Sequence, residues 1–254
     1  MSDQGPDKAA SGQTSGPALS DDTKRMLSHV SVATISTALY KRGLRRQVIQ
    51  DVHPVGAKGR NMVGPAFTLR YIPAREDRNQ LDVFRDPKHP QRHAIETCPA
   101  GFVLVMDSRR DANMASAGDI LVTRLMMRGG AGVVTDGGFR DAMRIAQLDM
   151  PAYHNRPASP TNLTNNEAIE INGPIGCGDV AVFPGDIIVG DDDSVIVIPA
   201  HLADDIALEA REMTAYEDFV IEQVRKGHTI IGLYPATKQE TIDKFARWRE
   251  EHGR

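Results

Sequence analysis

The chain lacks most of the features that would declare a common function outright. Its two cysteines, Cys98 and Cys177, lie far apart and form no CxxC or CxxH cluster, which argues against a disulfide scaffold and a structural zinc site. A reduced, cytoplasmic setting is the expectation that follows. Basic charge is not in excess: the net charge is −4 and the isoelectric point about 6.1. The electrostatic footprint of a nucleic-acid binder is therefore missing, and no nucleic-acid partner is expected. No apolar run approaches the roughly 20 residues that cross a bilayer, and the N-terminus has no signal-peptide pattern, so no membrane partner is expected either. The histidines show no HxH or HExxH spacing. There is no GxSxG elbow, no P-loop and no GxGxxG after a strand, which weakens hydrolase, nucleotide-binding and dinucleotide-binding readings.

What is present is an ordinary globular composition, 41% hydrophobic and 25% charged over 254 residues. Residues 1–20 are small and polar, cannot bury enough surface to offset the entropy of ordering, and read as a flexible tail. Residues 21–200 carry the domain, and 201–254 a helical extension packing on it or on a neighbouring subunit. From Asp21 to Leu44 the acidic start, the spaced apolar residues and the Gly43 stop predict one helix or two short ones. "MVGPAFTLRYI" and "GFVLVMD" read as strands, with a polar loop and a short helix between them. Next come helix "ANMASAGDILVTRLMMRGG", strand "AGVVTD", glycine turn and helix "GGFRDAMRIAQL", and strand "MPAYHN". This alternation predicts a parallel sheet with crossover helices, whose ligands sit beyond the carboxyl ends of the strands. "PGDIIVGDDDSVIVIP" has hairpin chemistry, predicting a small β-barrel-like layer joined to the sheet. Its acidic run, Asp191 to Asp193, reads as a turn.

The candidate site is the end of "VVTDGGFRDAMR". Gly137 and Gly138 would let the backbone turn tightly and leave room for a ligand, and the following helix start would offer unpaired N–H groups. Arg140 supplies a planar donor fork for a carboxylate or a developing oxyanion. Asp141 supplies a hard oxygen ligand of the kind Mg²⁺ or Mn²⁺ takes. Together they would suit an anionic 2-oxo acid, with a surface ion pair at a helix start as the alternative. Asp136 reads as an acceptor for Arg140, as a group orienting a metal-bound water, or as a strand-end cap, and Asp107 carries the same ambiguity. His154 is a candidate to line the pocket, and Cys177 a small buried residue.

Gly118-Asp119-Ile120-Leu121, "GVVTDGGFRD" and "PGDIIVGDDDSVIVIP" occur in an order and spacing that resembles the RraA-like superfamily. That superfamily contains class II pyruvate aldolases of the 4-hydroxy-4-methyl-2-oxoglutarate and 4-carboxy-4-hydroxy-2-oxoadipate type, together with RraA proteins, named as regulators of ribonuclease E activity. The resemblance implies an α/β fold of the RraA-like swivelling β/β/α type and a homotrimer, or a hexamer of two trimers. It also implies a divalent-metal-dependent lyase (Mg²⁺ or Mn²⁺) that cleaves a 4-hydroxy-2-oxo acid to pyruvate, with oxaloacetate decarboxylase activity from the same enolate. By that resemblance Gly118, Asp119, Ile120 and Leu121 bind the substrate carboxylate, with Asp119 standing where the family has Glu. Arg140 then holds the keto oxygen and Asp141 anchors the metal, while Glu217, or second to it Glu212, reaches in from a neighbouring subunit. The alternatives are an RraA-type regulator that binds a ribonuclease without catalysis, and a dehydratase acting on a 2-keto-3-deoxy sugar acid.

Overall fold

The computed structural model describes residues 19–56 and 59–254; most of the expected tail, residues 1–18, lies outside them. Two helices open the fold, α1 (Asp21–Leu27) and α2 (Val32–Lys41). The separation is local chemistry: the Ser31 hydroxyl accepts from the Thr34 N–H and caps a new helix start, as Ser20 does for α1. There follow β1 (His53–Pro54), β2 (Met62–Pro73), α3 (Pro90–Thr97), β3 (Val103–Asp107), β4 (Ala115–Ala117), α4 (Asp119–Met127) and β5 (Gly132–Thr135). The second half adds β6 (Gly138–Phe139), α5 (Ala142–Ile145), β7 (Ala152–His154), β8 (Arg156–Pro157), β9 (Asn166–Ile171), β10 (Ile187–Gly190), β11 (Val195–Ile198), α6 (Ala203–Arg225) and α7 (Gln239–His252).

The main sheet has the order β1-β7-β5-β3-β2-β10-β11, with β9 also on β2. Pairing is parallel from β7 through β5 and β3 to β2, as alternating strands and helices predict. It is antiparallel at β10 and β11, as the Pro-Gly-Asp and Asp-rich turns predict. The long β2 joins these halves: its first residues pair with β10, its middle with β3 and its end with β9 across a bulge at Arg70/Tyr71. The result is the α/β, mixed, curled sheet of the RraA-type swivelling fold.

Period-two alternation divides the interior. On β3, Leu104 and Met106 face a core shared with α3, α4 and α5, whereas Val103 and Val105 face the inside of the curled sheet. On β10 and β11, Ile187, Val189, Ile196 and Ile198 pack under α1, α2 and α6, and Ile188, Val195 and Val197 point into that same inner core. The first half of α6 is thus core to the domain, held also by Glu209 on Lys41 and Arg42. Its second half joins α7 in a separate aromatic cluster of Phe219, Trp248, Tyr216 and Phe245. Among the described residues no helix is long and apolar enough to cross a membrane.

Candidate functional site

A second, three-stranded parallel sheet, β4-β6-β8, builds the site. Ala117 pairs with Phe139, and the Arg140 N–H donates to the Ala117 carbonyl at 3.1 Å. This short ladder delivers the Gly118–Leu121 segment and the Arg140–Asp141 pair to the same place. Contact is so close that a Cβ at residue 118 would stand 2.7 Å from Arg140 Cγ, so the backbone there must be glycine.

A cavity of about 210 Å³ opens beside this junction, bordered by Gly118 to Leu121, Arg140 and Asp141 on one side and by Phe84, Arg92, Thr161 and Asn162 on the other. Beneath it the polar groups are mutually satisfied. Gln91 donates to the Ser116 carbonyl (2.6 Å) and to Asn162 (3.1 Å), and Ser108, Ser116 and Thr135 form a buried triangle of hydroxyls.

The "DGGFRD" turn differs from its sequence expectation in two ways. A Cβ at Gly137 would sit 2.7 Å from both Ser108 Cβ and Ser116 Oγ, so that glycine admits protein, not ligand. The expected helix is one turn, Ala142–Ile145, and Asp141 before it takes a left-handed backbone (φ 57°) with no side-chain cap. This conformation costs a non-glycine residue about 1 kcal/mol or more, and it presents the Asp141 carboxylate to Arg140.

Arg140 Nε and Asp141 Oδ2 lie 3.2 Å apart, with the side chains 55% and 39% exposed. Asp119 accepts from its neighbour Ile120 N–H at 2.8 Å and faces Arg144 Nη1 at 3.3 Å. Both acids at the cavity are therefore engaged by arginines. Among the described residues no group of three or more His, Cys, Asp or Glu side chains gathers that could hold a metal ion. The expectation of Mg²⁺ or Mn²⁺ on Asp141 is thereby corrected. The metal-dependent lyase and its aldol cleavage to pyruvate and oxaloacetate decarboxylation are corrected with it.

Glu217 lies on α6, where its carboxylate accepts from Thr34 (2.8 Å) and Tyr234 (3.5 Å); Glu212 pairs with Arg249 and Arg211. Neither borders the cavity of its own chain. Asp136 is a strand-end cap: fully buried, it accepts from the backbone N–H groups of Ser108 (2.7 Å), Gly178 (3.0 Å) and Arg110 (3.1 Å). Asp107 likewise accepts from Arg109 N and Gly176 N. Desolvation raises Asp136 to about 6, helped by the nearby Asp107 charge. His154 stacks on Phe139 (centroids 5.5 Å) instead of lining the cavity, and burial lowers it to about 4. Cys177 is buried as expected, its thiol pushed well up by desolvation.

Sequence reasoning missed Arg92 and Phe84. They stand in what reads as a polar loop and short helix, and no spacing marks an arginine that will rest on a phenylalanine ring.

The family model described as RraA-like, Aldolase/RraA, matches residues 32–197, and the chain belongs to that family. Its similarity to a Halalkalibacterium halodurans protein provisionally named 4-hydroxy-4-methyl-2-oxoglutarate aldolase is 34% identity over 161 residues, 62% of this chain and 69% of that one. Protein DlpA of Legionella pneumophila is 23% identical over 81% of this chain, which spans about a third (32%) of DlpA's length. A crystal structure of Streptomyces coelicolor RraAS2, described as an unusual member of the RNase ES inhibitor RraA protein family, superposes with a TM-score of 0.70 at 30% identity. It covers 80% of this chain and 96% of RraAS2. The relatives thus include RraA- and DlpA-type proteins beside one named as an aldolase, so kinship alone does not restore the lyase.

Proposed function

We propose that the chain is an RraA-type regulator that binds a ribonuclease of the E type and restrains it by contact, without turnover. The observation that carries this is the similarity to RraAS2 over nearly the whole of that protein. The surface around the cavity supports it. Ile120 and Met143, sequence neighbours of the paired Asp119 and Arg144, are each 79% exposed, and large apolar side chains presented beside charges are common at protein interfaces.

A homotrimer, or a hexamer of two trimers, belongs to the same reading, with α6 and its Glu217 near a neighbouring copy's Arg140 and Asp141. Mass measurement in solution is expected to give a trimer or hexamer, and a strict monomer would remove the assembly from the reading.

The functional test is cleavage of a fluorogenic RNA by the ribonuclease, titrated with this protein. Saturable inhibition is expected, weakened about tenfold or more by Ile120→Asp with Met143→Asp, since a charge in an interface core costs more than the 1.4 kcal/mol of a tenfold change. Undiminished cleavage at saturating protein would overturn the proposal.

A further inference from the structure

In a chain of net charge −4, residues 23–50 contain six Lys or Arg and no Asp or Glu. Whole-chain charge averages over this segregation and hides it. The fold brings the second half of the run to one place. Helix α2 ends in a Schellman motif: the Leu44 N–H donates to the Leu39 carbonyl and the Gly43 N–H to the Tyr40 carbonyl, with Gly43 at φ 83°. Leu44 then packs against the core under α2. Gln47 is tied to Val197 of β11, its carbonyl accepting from the Val197 N–H (2.8 Å) and its side-chain amide donating back (3.0 Å). Between these two anchors stand Arg45 and Arg46, both exposed.

The cations of this corner differ in what holds them there. Lys41 and Arg42 close the C-terminal end of α2, where positive charge is favoured, and both pair with Glu209. Two further acids of α6, Asp204 and Glu217, are taken by Thr23 and Thr34. Arg45 and Arg46 have no acid partner and no side-chain hydrogen bond among the described residues. Arg45 instead stands over the ring of Tyr40, 5.4 Å from its centroid, and Tyr40 remains 60% exposed. Four cations, Lys41, Arg42, Arg45 and Arg46, against the one carboxylate of Glu209 leave positive charge in surplus beside an open aromatic face. We propose that this patch binds single-stranded RNA without sequence preference, Arg45 and Arg46 taking phosphates and Tyr40 stacking on a base. An arginine fork matches a pair of phosphate oxygens. The exposed ring favours RNA over an acidic peptide, because every base offers a face to stack on and a carboxylate side chain offers none.

None of these residues borders the cavity beside Arg140, and RNA binding needs no ribonuclease, so the patch stands or falls separately from the ribonuclease reading. Fluorescence anisotropy of a labelled single-stranded oligoadenylate RNA, titrated with the full chain at low salt, tests it. Saturable binding is expected with a Kd of about 1 to 100 µM, the range of sequence-independent contacts. The slope of log K against log salt should be about −1.4 to −2, as for two or three phosphates held on a single strand. Arg45→Gln with Arg46→Gln should weaken binding about tenfold or more and take about 1.4 off the size of that slope. Tyr40→Ala should weaken it about fivefold or more and leave the slope unchanged, since losing a stack releases no counterion. Arg25→Gln, which removes a cation of the same acid-free run that pairs with Asp22 on α1, should change neither. Should a variant fail to fold, the wild-type protein still decides: with 4-thiouridine in the RNA, ultraviolet crosslinks should map to residues 40–47. No binding up to about 1 mM, equal or tighter binding of an oligoglutamate of the same charge, unchanged binding by the double arginine variant or by Tyr40→Ala, or crosslinks confined to other segments would each overturn the assignment.

Discussion

Two corners of the molecule hold aspartates and arginines at strand ends, and they are built to opposite specifications. At the end of β3 and β5, Asp136 is buried and saturated by three backbone N–H donors from two loops. Arg110 beside it is clamped by Asp51 and Asp179. At the end of β4 and β6, the Arg140 and Asp141 side chains form their one ion pair with each other at the surface, and Arg92 across the cavity has no ion-pair partner among the described residues. The first corner is closed and structural; the second is open, with binding capacity left over. An acidic residue after a strand is thus uninformative until its hydrogen bonds are counted, because the same residue type serves a clamp in one corner and a surface pair in the other.

The largest effect should come from breaking the closed corner. Asp136→Ala removes the acceptor for three N–H groups, each costing about 1 kcal/mol or more when left unsatisfied, so urea unfolding should show a loss of about 3 kcal/mol or more. A loss below about 1 kcal/mol would mean that water replaces the carboxylate and the clamp is not structural.

The next effect is pH-dependent. Asp136 titrates near 6 in the fold and 3.8 when unfolded, so between these values the native state holds the proton more tightly. Its contribution is most favourable below 3.8 and declines as pH rises to about 6, by a sum on the order of 3 kcal/mol. His154 moves the other way: lowered to about 4 from 6.5, it favours the unfolded state as pH falls through that window, so stability rises with pH there. The two slopes oppose each other in the wild type. Asp136→Asn should leave a stability that rises from pH 4 to 6.5, and His154→Phe, which keeps a ring against Phe139, one that falls. Parallel curves for the wild type and both variants would refute these assignments.

The smallest effect belongs to the open corner. Asp141→Gly should leave stability within about 1 kcal/mol of the wild type: the exposed ion pair contributes about 0–1 kcal/mol, and relief of the left-handed backbone offsets it. A loss above about 2 kcal/mol in thermal or urea unfolding would give Asp141 a structural role that its contacts do not.

Much of the fold was legible because it rests on periodicity and punctuation. Apolar, β-branched runs bounded by glycine or turn residues marked β2, β3, β10 and β11, and an acidic start with spaced apolar residues marked the first helical region, which the Ser20 and Ser31 caps resolve into two helices. The short parts were not legible: β4, β6 and β8 have two or three residues each, too few to show a period, yet they juxtapose Gly118 and Arg140. β9 was not legible because its "NEAIEI" alternation lies in a polar stretch whose partner, β2, is far off in sequence. At the site, the "RD" pair was visible but its chemistry was not. Asp141 pairs with the guanidinium of its own neighbour from a left-handed backbone position, and sequence spacing encodes neither.

The central claim is regulation by protein contact, without a metal. Its most direct test is calorimetric titration of an E-type ribonuclease with this protein, in buffer with and without chelator. The account predicts saturable binding at micromolar affinity or tighter that is unchanged by the chelator and weakened by Ile120→Asp with Met143→Asp. No binding in either buffer, or binding abolished by the chelator and restored by Mg²⁺ or Mn²⁺ at the Asp141 corner, would contradict it.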